Sequence, residues 1–145
     1  MKKLFIATLL AVTVATSAFS AEIKVSNAIE KKFKVEFKDA SNVSWSMASE
    51  YAKATFVLDD VRMEAFYTQD GDMIGASRAI SIDELPVVAK RTFVKKYDGY
   101  TVKEAILFEG ADETAYFISA ENDQESVIVK VTDNSQISTF KRTKK

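Results

Sequence analysis

The chain has 145 residues, 47% of them hydrophobic and 28% charged, with a formal net charge of −1. That balance excludes a disordered chain and leaves no basic excess for holding nucleic acid. Histidine and cysteine are both absent, which excludes Ser-His and Cys-His nucleophiles, His or thiolate metal sites, haem attachment and disulfides.

The first element reads as a leader. Lys2 and Lys3 form a basic start, and Leu4 to Ala15 is an apolar run shorter than the ~20 residues that span a bilayer. Ala18-Phe19-Ser20 then offers small residues at −3 and −1. This pattern predicts a secretory signal peptide over 1–20 and a mature chain over 21–145, in the periplasm or outside the cell. Without Cys there is no acyl anchor, so no stable membrane insertion is expected after cleavage. Losing Lys2 and Lys3 takes the 20 basic residues to 18 against 21 acidic ones, a formal charge of −3.

Ser26-Asn27 offers an N-cap, with Asn27 and Glu30 at capping-box spacing. Ile29, Phe33 and Phe37 then recur every fourth residue, which predicts an amphipathic helix over 27–37. Val43 to Met47 alternates apolar and polar, as a half-buried strand does. Trp45 in that strand suits either a place under the helix or one at the rim. Tyr51 to Leu58 and Val61 to Thr68 flank Asp59-Asp60. A two-residue turn there pairs Leu58 with Val61, Phe56 with Met63, Ala54 with Ala65 and Ala52 with Tyr67. All eight are apolar or aromatic and share one face. Asp70-Gly71 marks the next turn, and Met73 to Ile80 a fourth strand.

Ser81 and Glu84 again have capping-box spacing, and Pro86 suits a first helical position. Ala89, Phe93 and Tyr97 lie on one stripe, and Asp98-Gly99 stops that helix. Strands follow over Tyr100 to Phe108, Thr114 to Ala120, Glu125 to Thr132 and Gln136 to Lys141. The hairpin about Glu121 to Gln124 is expected to set Ile118 and Tyr116 opposite Val127 and Val129. Arg142 to Lys145 reads as a frayed basic end.

Phe33 and Phe37 match Phe93 and Tyr97 at an offset of 60 residues, and Asp70-Gly71 matches Asp133-Asn134 at 63. The pattern predicts an α+β tandem repeat of a helix plus four antiparallel strands, over about 26–80 and 81–141. Together these make about eight strands with two helices packed on one face.

The residues that carry a family likeness are Phe33-x-x-x-Phe37, Asn42-Val43-Ser44-Trp45, Tyr51-x-x-x-x-Phe56 and Ala65-Phe66-Tyr67-x-x-Asp70-Gly71. Leu85-Pro86 with Val88 or Ala89, Phe93-x-x-x-Tyr97-x-Gly99-Tyr100 and Tyr116-Phe117-Ile118 complete the set. In this order, behind a signal peptide, the chain resembles the PepSY-like, beta-lactamase-inhibitor-protein-like (BLIP-like) secreted domains of Gram-negative envelopes over nearly all of 27–141. The resemblance implies a non-enzymatic tandem repeat with a sheet face free to bind. The inhibitor protein proper carries disulfides, which this chain cannot form.

Chemistry is sparse elsewhere. Asp70-Gly71-Asp72 lacks the alternating oxygen ligands and distal Glu of a calcium loop. Asp59-Asp60 and Asp112-Glu113 fall at turn tips, where solvated carboxylates are expected. No cofactor and no metal site is expected, and no enzyme activity. The informative residues are those the registers turn away from the helices, namely Tyr51, Lys53, Val57, Arg62, Phe66, Phe117, Ile128 and Lys130, with Glu64 beside them. An apolar and aromatic patch rimmed by charge marks a protein contact site. The expected role is a binding module that holds an envelope protein or peptide on an exposed sheet face, and inhibition of a peptidase or other hydrolase is one form of it. A homodimer is compatible with the same face. The alternative is a small-ligand or ion sensor of the envelope.

Overall fold

The computed structural model describes residues 23–145; the signal-peptide reading lies outside them. The chain begins with α1 (Asn27–Glu36), followed by β1 (Ser41–Met47), β2 (Ala52–Leu58), β3 (Val61–Tyr67) and β4 (Met73–Ala79). A short 3-10 turn, Ile82–Glu84, leads into α2 (Val87–Lys96). Four strands close the chain, β5 (Thr101–Gly110), β6 (Thr114–Glu121), β7 (Glu125–Thr132) and β8 (Ile137–Lys144). The eight strands form one antiparallel sheet in the order β1 to β8, so the fold is α+β.

Both helix starts differ in detail from the expectation. Ser26, not Asn27, caps α1, its Oγ accepting from the Ile29 N–H at 3.3 Å. The Ser81–Glu84 capping box does form, but on the 3-10 turn rather than on α2. The cause is Pro86, which drives Leu85 into the extended region (φ −64, ψ 150) and breaks the helix one residue earlier. Pro86 therefore caps α2 instead of occupying its first turn. Gly99 follows the helix at φ 82, a conformation that only a residue without Cβ adopts cheaply.

The described residues gather into two compact units, one running up to Ala79 and adding Leu107–Thr114, the other made of Ile80–Ile106 and Ala115–Lys145. In the first unit α1 lays Ile29 and Phe33 on Ala52, Ala54, Phe56, Ala65 and Tyr67. Three of these partners are alanines with no exposed surface. That leaves room for a cluster of rings, with Phe33 at 4.9 Å from Phe56 and 5.2 Å from Trp45. Trp45 thus packs with the α1 core. In the second unit α2 places Ala89, Phe93 and Tyr97 over Ile118, Ala120, Val127, Val129 and Val131.

The β2–β3 register is the predicted one, Leu58 with Val61 through to Ala52 with Tyr67. Both turn residues have left-handed backbones, Asp59 at φ 50 and Asp60 at φ 63. This is the turn type whose twist matches paired strands. The β6–β7 hairpin is tighter than expected. Ile118 faces Val129 and Ala120 faces Val127, two residues along from the expected pairing. The turn shrinks to Asp123-Gln124 because Asn122 Oδ1 accepts from the Gln124 and Glu125 N–H groups at 2.9 Å each. A two-residue slip preserves the faces, so the core is unaffected.

The basic end is not frayed. β8 runs to Lys144, Arg142 pairs with Glu125 at 3.2 Å, and Lys145 reaches Glu121 at 3.4 Å. The Lys103 hydrogen bond is the main reason the Glu121 carboxyl sits below its usual range, with the Lys103 and Lys145 charges adding to it.

Replacing Asp59-Asp60 by Asn-Gly should raise stability by about 0.5–1 kcal/mol, since those residues take left-handed conformations with less strain. Urea unfolding checks this, and an unchanged midpoint would show that the turn is not strained. Tyr67 supplies a second test. Its hydroxyl donates to Glu36 Oε2 at 3.2 Å. Burial, then the Glu36 charge and hydrogen bond, hold it protonated well above the ordinary 10.0. The folded state then keeps a proton that the unfolded chain loses, so stability should fall as pH rises through about 10. Tyr67→Phe should flatten that alkaline slope in thermal melts while losing some stability at neutral pH.

Candidate binding face of the sheet

Strand alternation decides what the helix-free face carries. On β2 and β3, Ala52, Ala54, Phe56, Ala65 and Tyr67 belong to the α1 core, so Lys53, Thr55, Val57, Arg62, Glu64 and Phe66 point the other way. Lys53 sits opposite Phe66, Thr55 opposite Glu64, and Val57 opposite Arg62. On β4, Gly75 faces Phe66 and Ser77 faces Glu64.

Three rings cross this face. Tyr51 meets Phe66 edge-on at 5.7 Å, and Phe66 meets Phe108 at 6.4 Å. Gly75 makes room for the last of them. A Cβ there would lie 2.6 Å from Phe108 Cζ, so the ring occupies the space a side chain would need.

Beside the rings lies a charged group. Glu64 Oε1 accepts from Arg62 Nη2 at 3.0 Å. Glu64 Oε2 is 3.8 Å from Lys53 Nζ, too far for a hydrogen bond, and it is buried with no hydrogen-bond partner. Lys53 is only 7% exposed and Glu64 8%. A buried pair in such loose geometry contributes little stability, because desolvation outweighs the attraction unless hydrogen bonds complete it.

In the other unit Phe117 lies opposite Lys130 and Ser119 opposite Ile128. Lys130 Nζ stands 5.9 Å from the centre of the Phe117 ring, and Phe140 meets that ring edge-on at 5.6 Å. Cation–aromatic contacts of this kind are worth about 0.5–1 kcal/mol at an accessible site.

The expected open face is thus not open at every position. Arg62 is exposed, and Val57, Ile128 and Lys130 are half-buried. Tyr51, Lys53, Phe66 and Phe117 are buried. Bulky side chains on adjacent strands shield one another, as the Tyr51–Phe66–Phe108 row shows. Tyr51, Lys53, Val57, Arg62 and Phe66 come together in one unit, and Phe117, Ile128 and Lys130 in the other. Three contributors escaped the sequence reading, Ser77, Phe108 and Phe140. Ser77 and Phe140 lie on registers interrupted at Phe66/Tyr67 and Ile128/Val129, where parity cannot be carried across by counting. Glu64 was visible as the cross-strand neighbour of Thr55.

Among the described residues no three His, Cys, Asp or Glu side chains converge as a metal site. No helix among them is long and apolar enough to cross a membrane.

No known protein family profile matches the chain, and no curated protein matches its sequence. Solved structures do match. A BLIP-like protein of Bacteroides fragilis superposes with a TM-score of 0.71 at 16% identity, covering 86% of this chain and 89% of that one. A DUF2874 family protein of Bacteroides ovatus gives 0.73 at 17%, covering 84% and 89%. A Bacteroides eggerthii protein assigned provisionally to the periplasm gives 0.75 at 16%, covering 84% and 90%. At these identities the likeness is one of fold, and the fold is BLIP-like.

The Lys53–Glu64 pair makes a graded stability prediction. Lys53→Met leaves Glu64 its Arg62 partner and should cost about 1–3 kcal/mol. Glu64→Met strands the buried Lys53 ammonium and should cost about 3–5 kcal/mol. The double substitution should be neutral or stabilising. Urea unfolding of the four proteins checks the order.

Proposed function

We propose that this chain is a non-enzymatic binding module of the cell envelope, exported by its leader, that holds an extended polypeptide on the helix-free sheet face. The observation that carries this reading is the Glu64 Oε2 atom, buried without a hydrogen-bond partner beside a lysine it does not bond. Buried polar atoms in native proteins are paired in the great majority of cases, and the exceptions call for a role. Glu64 Oε2 is an acceptor without a hydrogen bond, and the Lys53 ammonium stands 3.8 Å away. A peptide N–H offers the matching donor once that atom is uncovered, and half-buried Val57 on the same face supplies accessible apolar surface. Arg62, the exposed member of the set, would meet the partner at the rim.

The likeness to a BLIP-like protein supports protein binding in general. Inhibition of a peptidase or other hydrolase is the specific form that this likeness brings to mind, with Tyr51, Lys53, Val57, Arg62 and Phe66 as one contact cluster and Phe117, Ile128 and Lys130 as another. A PepSY relationship and a duplicated ancestry rest on the sequence pattern, supported by the element order of a helix and four strands occurring twice.

Substituting Phe66 or Phe117 by Asp would test the fold rather than the face, since both are buried. The Lys53→Met/Glu64→Met double variant removes the donor and acceptor while keeping volume. The mature chain, residues 21–145, should retain a polypeptide from periplasmic extract, and the double variant should lose it while melting no lower than the wild type. Equal retention by both would overturn the reading. Thermal shifts with small envelope solutes, in place of a retained polypeptide, would favour the small-ligand alternative.

A further inference from the structure

Among the described residues β1 ends the sheet. A terminal strand presents unpaired N–H and C=O groups and templates another strand, unless charge, proline or a bulge blunts it. β8, at the opposite end, carries Lys141, Arg142 and Lys144. β1 reads Ser-Asn-Val-Ser-Trp-Ser-Met, without a charge or a proline. Its irregularity is confined to the start, between Ser41 and Ser44.

The outward backbone groups can be located. The Ala48 N–H donates to the Tyr51 carbonyl at 2.8 Å. By antiparallel alternation Ser46 and Ser44 are then the next residues hydrogen-bonded to β2, opposite Lys53 and Thr55. The N–H and C=O groups of Trp45 and Met47 therefore point to the free edge. Trp45 and Met47 face Ala54 and Ala52, and that side of the strand is apolar. Val43 and Met47 are left 39% and 45% exposed.

We propose that β1 pairs antiparallel with β1 of a second copy of this chain, about a two-fold axis at Trp45. That register sets Val43 opposite the second copy's Met47 and Ser44 opposite its Ser46, and it joins the outward groups of the two Trp45 residues. The order apolar, polar, Trp, polar, apolar matches its own reverse, which is what a contact between identical surfaces requires. No like charges meet. The same operation on β8 would crowd Lys141, Arg142 and Lys144 against their copies, so the charge pattern directs self-pairing to β1. The proposal uses the strand edge and does not rest on the Lys53–Glu64 pair.

Sedimentation of residues 21–145 over a concentration series should show a monomer–dimer equilibrium. Val43→Lys/Met47→Lys, both at exposed positions, should shift it to monomer with an unchanged circular dichroism spectrum. Because the chain has no cysteine, register can be read separately. An equimolar mixture of Ser44→Cys and Ser46→Cys copies should form interchain disulfides faster than either variant alone. A wild type that stays monomeric throughout would overturn the proposal. So would a dimer indifferent to the lysines, or cross-linking no faster in the mixture.

Discussion

The two-residue turn at Asp59-Asp60 sets the parity of β2 and β3, and most of what distinguishes this protein follows from that parity. With Leu58 opposite Val61, the two strands turn three alanines, Phe56 and Tyr67 toward α1. The same register turns Lys53, Glu64, Arg62 and Phe66 the other way. A slip of one residue would exchange the two sets, placing a buried ion pair under the helix and the core aromatics outside it. Left-handed backbone at two consecutive aspartates forms the tight turn that fixes this register.

Given the parity, packing under each helix is a matter of volume. Ala52, Ala54 and Ala65 expose nothing, and the space above them is taken by Phe33, Phe37, Phe56 and Trp45, whose rings meet at tilted or edge-on angles. Such pairs add about 0.5–1.5 kcal/mol beyond their burial. In the α2 unit aliphatic side chains do more of the filling, and the hydroxyls of Tyr97 and Tyr100 find partners in Thr139 and Glu125. Without disulfides these two clusters are what hold the described residues together.

The opposite face follows a different rule. A face built for stability alone would not keep Lys53 beside a carboxylate it fails to hydrogen-bond. The contrast between the two ends of the sheet is of the same kind. β8 carries basic residues, and Glu125 on β7 binds its Arg142 while Glu121 on β6 binds Lys145 just beyond it. β1 has no such guard. Retained charge inside underlies the proposed binding face, and missing charge at an edge underlies the proposed self-pairing.

Composition and periodicity alone determined the α+β class, both helices, the strand count and the β2–β3 register, because alternation and turn chemistry are local and survive without tertiary contacts. The absence of His and Cys bounded the chemistry for the same reason. Local rules erred where two signals competed over few residues. The Ser81 capping box was assigned to α2 until Pro86 separated them, and Asn122 tightened the β6–β7 turn to two residues where the apolar pattern implied four. Tertiary structure decided the rest. Trp45 could sit under the helix or at the rim until α1 brought Phe33 to it. Lys53 and Phe117 had the right parity for an open face, but parity says which way a side chain points and not what stands over it. The end of the chain looked frayed because Glu121 and Glu125, which bind it, lie far away in sequence. Burial and charge pairing depend on residues that only the folded chain brings together.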